Sequence, residues 1–133
     1  PKSGVVGIAI GRTSLDQCIQ FGEQLAGVLA SMNPRPLLVI SSDMHHFAPE
    51  SENRRLDKLA MDAMLQLNPQ LLYETVRNNR ITMCGVLPAV IVMETLRILH
   101  QLSKIEITGY STSADTTGDK SSVVGYCGML LGR

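Results

Sequence analysis

Two short apolar runs, residues 5–10 and 37–40, bracket a stretch of helical periodicity, and this pattern limits the fold more than any other feature of the chain. The first run is punctuated by Gly4, Gly7 and Gly11 and reads as a buried strand. Between the runs, Leu15, Cys18, Ile19, Gly22, Leu25, Ala26 and Leu29 recur at spacings of three and four, the stripe of an amphipathic helix with Ser14 placed to cap it. Asn33 and Pro34 end that helix, and the second run stops at Ser41, Ser42 and Asp43. Strand, helix and strand in this order form the unit of a parallel sheet.

The rest of the chain adds helices and a hairpin. Leu56, Leu59, Ala60, Ala63, Met64 and Leu67 mark a one-sided helix, with Arg54, Arg55, Asp57, Lys58 and Asp62 expected to face water. Asn68 and Pro69 suit the cap and first position of a short helix that Asn78 and Asn79 close. A largely buried helix is expected from about Leu87 to Leu102, with Pro88 in its first turn. Residues 105–110 and 121–131 read as strands around a turn at Thr116, Thr117, Gly118 and Asp119, hence an antiparallel pair. The expected architecture is α/β: a mainly parallel sheet with an antiparallel strand pair at the carboxyl end, helices on its faces, and one domain over residues 1–133.

Charge and composition exclude whole classes of partner. Twelve basic residues balance twelve acidic ones, so the chain lacks the positive footprint needed to grip phosphate backbones. Five aromatics, two Phe and three Tyr, leave little for stacking bases, and nucleic acid is not an expected partner. The longest apolar stretch, residues 86–102, is interrupted by Glu94 and Arg97 and falls short of a membrane span, so no membrane association is expected. Cys18, Cys84 and Cys127 are odd in number and widely spaced, unlike a disulfide framework, which suits a reducing cytoplasm. The chain opens on Pro1 rather than Met, without a signal-peptide pattern, and is expected to be a fragment.

Chemistry is expected in two places. Asp43, Met44, His45 and His46 follow the second apolar run, at the strand end where open α/β sheets bind ligands. Adjacent histidines in extended backbone point to opposite sides, so one would enter a cleft while the other packs or is solvated. The alternative is that Asp43 caps a turn and both rings are surface groups. Cys84 precedes Gly85 and the buried helix, where the dipole favours an anionic sulfur that can attack or ligate; the alternative is a small buried hydrophobe. Cys18 and Cys127 look like core residues, and His100 closes a helix without neighbours that would give it a role. No CxxC or HxxxH spacing is present, and the glycines spell no nucleotide-binding or hydrolase motif.

Three motifs, taken together and in order, resemble the Memo family, whose prokaryotic members are called AmmeMemoRadiSam system protein B. They are Ser41-Ser42-Asp43-Met44-His45-His46-Phe47, then Met83-Cys84-Gly85-Val86-Leu87-Pro88, then Tyr110-Ser111-Thr112-Ser113-Ala114-Asp115 with Ser122-Val123-Val124-Gly125-Tyr126. The resemblance implies a fold like that of the class III extradiol dioxygenases. It also implies that Cys84 matches a ligand to iron or copper and that His46, with Asp43 beside it, matches the acid/base position. Thiolate suits either metal, and imidazole moves protons near neutral pH. The family is about twice this long and its two metal-binding histidines belong to its amino-terminal half, so the chain is expected to be the carboxyl-terminal half of a Memo-like protein.

Two functions follow from the resemblance. One is a metal-dependent, dioxygenase-like redox enzyme acting on a small molecule, in which Cys84 binds the ion and His46 transfers a proton. The other is a non-catalytic module that holds a peptide or protein in the same cleft. Further expected partners are the other AmmeMemoRadiSam system proteins and, for the isolated chain, a second copy of itself, since an uncovered sheet exposes an apolar face.

Overall fold

The computed structural model describes residues 4–133, with the order α1 (Leu15–Ala30), β1 (His46–Ala48), α2 (Glu50–Leu65), α3 (Pro69–Asn78), α4 (Val86–Ile98), β2 (Lys104–Thr112), α5 (Ala114–Thr117) and β3 (Val123–Gly132). Local chemistry sets the helix starts. At α1 the Ser14 hydroxyl accepts the Gln17 amide while the Gln17 side chain accepts the Ser14 amide, a reciprocal capping box. At α3 Asn68 accepts the Leu71 amide, with Pro69 in the first turn.

The sheet overturns the expected parallel architecture. It has three strands in the order β1-β3-β2, and both pairings are antiparallel. The physical reason lies in what a strand requires. Residues 5–10 and 37–40 are apolar, as the sequence suggests, but among the described residues they belong to no strand and make no backbone hydrogen bond. Val5 (92%), Leu37 (87%) and Val39 (79%) are accordingly among the most exposed apolar residues of the molecule. Of the strands that do pair, β2 and β3 are joined by only ten residues, a connection too short for a parallel crossover. Gly118, at φ 74°, closes the short α5 within that link.

Helices pack on this sheet and on one another. The core draws on α4, whose Ala89, Val90 and Met93 are fully buried, together with Leu72 of α3, Ala60 of α2 and Cys18 of α1. Burying a Leu or Met side chain contributes about 1.5–3 kcal/mol, so this helical layer carries much of the stability. α4 ends at Ile98, short of the expected Leu102, and His100 follows in a left-handed conformation. Asp57, expected to face water, is instead completely buried, and so is Asn53 one turn before it.

Candidate functional site

The site is built around an extended segment, residues 41–46, that α2, β3 and the 82–85 loop enclose. Four consecutive backbone amides of this segment donate to four different anchors. Asp43 N–H points at Cys84 Sγ (3.4 Å), Met44 N–H at the Gly125 carbonyl (2.8 Å), His45 N–H at Asp57 Oδ1 (2.6 Å), and His46 N–H at Thr82 Oγ1 (2.9 Å). Immediately after them Phe47 takes φ 65°, a left-handed conformation that a bulky residue adopts only when its surroundings impose it.

This arrangement gathers residues that are remote in sequence. Cys84 is exposed, just ahead of the Gly85 cap of α4, and its sulfur also lies 3.7 Å from Ser42 Oγ. Ser42 Oγ accepts the Gly85 amide at 2.8 Å, locking the 41–43 segment to the 84–85 loop. Asp43 Oδ2 stands 3.8 Å from His46 Nδ1, and the Phe47 ring meets the His46 ring edge-on at 5.4 Å. Asp43 Oδ1 and His46 Nδ1 are shielded from solvent and have no hydrogen-bond partner. Cys84 therefore reaches His46 through Asp43, which touches the sulfur by its amide and stands beside the imidazole by its carboxylate.

The two histidines do different work. His46 is partly exposed, whereas His45 is buried and its Nδ1 accepts the Thr82 amide at 3.1 Å, which requires the neutral ring with its proton on Nε2. Burial lowers the His45 pKa below the ordinary imidazole value; Asp57 and Glu52 oppose that shift and His46 adds to it. Above about pH 6.5 the ring is neutral both folded and unfolded, and below it the unfolded chain binds the proton first. Stability is thus expected to fall as pH drops from about 6.5 toward the lower folded value. Denaturant unfolding at neutral pH and at pH values below 6.5 checks this: His45→Gln should flatten the profile in that window, and an unchanged slope would refute the assignment.

Sequence reasoning missed the residues underneath. Asp57 Oδ1 takes the His45 amide, while Oδ2 accepts from Asn53 Nδ2 (2.9 Å) and from the Tyr110 hydroxyl (2.6 Å). Burial, and then the bond to Asp57, push the Tyr110 hydroxyl far above the ordinary phenol range. The signal was available: Asn53, Asp57, Ala60 and Met64 share one helical stripe, so the polar pair continues the apolar face. Cys18 and Cys127 have thiols raised by burial, and Cys127 Sγ sits 3.4 Å from Met61 Sδ.

Two cavities adjoin the segment. One, of about 510 Å³, is mainly apolar and lies between residues 35–40, α4 and β3; the other, of about 490 Å³, is lined by Ser42, Thr108, Tyr110, Ser111 and Tyr126 among others. Ser42 borders both, whereas Asp43, His46 and Cys84 line neither. Among the described residues no group of three or more His, Cys, Asp and Glu side chains is arranged to hold a metal ion.

A family model described as Memo-like protein matches residues 1–130. The chain belongs to this family. A MEMO1 family protein of Aquifex aeolicus is 44% identical over 111 residues, covering 84% of this chain and 40% of the relative. MEMO1 family proteins of Methanocaldococcus jannaschii and Archaeoglobus fulgidus are each 30% identical, covering 98% and 96% of this chain and 45% and 48% of theirs. The match corrects the expectation of a carboxyl-terminal half of a Memo-like protein: Memo similarity runs along nearly the full chain and is not restricted to such a portion. The chain spans less than half the length of these curated relatives. No helix among the described residues is long and apolar enough to cross a membrane.

Proposed function

We propose that the Asp43, His46 and Cys84 edge is the working site of a metal-dependent, dioxygenase-like redox protein that acts on a small molecule. The observation that carries the reading is the convergence on Asp43: its amide lies on Cys84 Sγ and its carboxylate lies beside His46, although Cys84 is 41 residues away in sequence. Asp43 Oδ1 and His46 Nδ1, both shielded from solvent, have hydrogen-bonding capacity that no protein group uses, as polar atoms held for a function do.

Iron or copper fits this donor set in part. Cys84 offers one exposed sulfur, a donor type that suits either metal, while among the described residues no further His, Cys, Asp and Glu side chains are gathered to complete a ligand set. Bound metal would supply Lewis-acid and redox chemistry at this edge. The chain's own residues move protons: the Asp43 carboxylate stands 3.8 Å from the His46 ring without bonding it, and His46 takes or returns a proton. The test is metal content and oxygen consumption of the full-length protein with and without Cys84→Ala. Loss of most of the bound iron or copper, at least tenfold, is expected; retention of the full complement would end the reading.

A second reading, a peptide-binding module without turnover, is favoured by Phe47, which is 80% exposed beside the His46 ring. It would be supported if peptide capture were lost in Phe47→Ala and oxygen consumption were nil. The three free thiols accord with a reducing cytoplasm, and the exposed apolar runs 5–8 and 37–39 suit pairing with a second copy or with one of the other AmmeMemoRadiSam system proteins.

A further inference from the structure

We infer that Asp57, buried inside α2, is a positioning residue that sets the backbone of residues 43–46 and, through it, the direction in which His46 is presented. The inference rests on the proposed function only in taking His46 as the group presented.

Of the four anchors that receive consecutive amides, three belong to the neighbouring loop or strand: Cys84 Sγ, Thr82 Oγ1 and the Gly125 carbonyl. Asp57 alone comes from a helix and alone is a carboxylate, with no exposed surface. It holds the amide of His45, the residue from which the chain turns His45 inward and His46 outward. Asn53 and the Tyr110 hydroxyl grip its other oxygen, so the carboxylate cannot swing away without breaking two further bonds. Gly125 closes the arrangement from β3, right beside Asp57, with its amide on the His45 carbonyl. The segment is therefore fastened through both the amide and the carbonyl of a single residue. Phe47, at φ 65°, directly follows it, and such a conformation persists only where neighbours over-determine the chain.

The experiment is amide hydrogen exchange on the isotopically labelled protein, with α4 amides as an internal reference, together with the ring-current shift that the edge-on Phe47 gives the His46 imidazole. In Asp57→Ala, exchange at Met44, His45 and His46 is expected to rise about 10- to 100-fold relative to α4, with loss of the His46 ring-current shift. Asp57→Asn keeps an oxygen for the His45 amide and should restore most of the protection, and it decides the matter if Asp57→Ala does not fold. Tyr110→Phe, which leaves the His45 bond in place, should change exchange at His45 by only a few-fold. The inference is overturned if exchange at 43–46 rises only in step with α4, or if the His46 signal is unmoved in Asp57→Ala or, where that variant does not fold, if Asp57→Asn leaves His45 no better protected than α4 requires. Neither readout involves metal or turnover, so metal retention in Cys84→Ala would refute the proposed function and leave this result standing.

Discussion

Gly125→Ala is expected to be among the most damaging single substitutions in the chain, costing about 3 kcal/mol or more of stability. β3 runs so close over α2 that a methyl group at residue 125 would land on Asp57 Oδ2 and within 2.9 Å of Asn53 Nδ2. Neither neighbour is the loose end of a flexible side chain. Asp57 is held by His45, Asn53 and Tyr110, and to make room it must surrender bonds in a place that water does not reach. Overpacking alone typically costs about 1–3 kcal/mol, and a buried carboxylate stripped of partners costs about 3–5 kcal/mol. Equilibrium unfolding in urea checks the expectation. A change below about 0.5 kcal/mol, the range of an ordinary surface substitution, would show that the sheet slides away from α2 without penalty.

The same contact explains what the sequence could and could not disclose. Helices were legible because their buried residues recur at three- and four-residue spacing: Cys18, Gly22, Ala26 and Leu29 in α1 all face inward. The caps at Ser14 and Asn68 were legible because each is a local bond over three residues. Sheet direction was not, since an apolar run declares that it wants burial and says nothing about which strand, or whether any, lies beside it. Residues 5–10 and 37–40 satisfy the composition of strands and pair with no strand among the described residues. Asp57 was concealed by its own charge: surrounded in sequence by Arg54, Arg55 and Lys58, it reads as one more solvated residue, and only the tertiary arrival of His45 and Tyr110 gives a buried carboxylate its partners. Motif order drew attention to Asp43, His46 and Cys84, but the contact between Asp43 and Cys84 depends on a loop closure that no local pattern encodes.

That closure supplies the second large effect. Gly85→Ala is expected to separate Cys84 from Asp43 and to cost about 2–3 kcal/mol of stability as it does so. A Cβ at residue 85 would overlap the Ser42 side chain, come within 2.6 Å of Ser42 Oγ and sit 2.9 Å from the Ser41 carbonyl. The backbone oxygen cannot rotate out of the way, and Ser42 Oγ is committed to the Gly85 amide, so the two segments must move apart together. Because the Asp43 amide rests on the exposed Cys84 Sγ, that movement removes a donor and a neighbouring segment from the sulfur and leaves it freer to meet a reagent. Ser42→Ala separates packing from hydrogen bonding: it removes the Oγ bond to Gly85 without adding bulk and should cost only about 1 kcal/mol. Thiol labelling at Cys84, read under native conditions beside unfolding in urea, distinguishes the outcomes. Faster labelling of Cys84 in Gly85→Ala, with Cys18 still protected, is the expected pattern. Labelling unchanged from the parent protein would mean that the 41–43 segment and the 84–85 loop are not mechanically joined, and that Asp43 does not hold the sulfur in place.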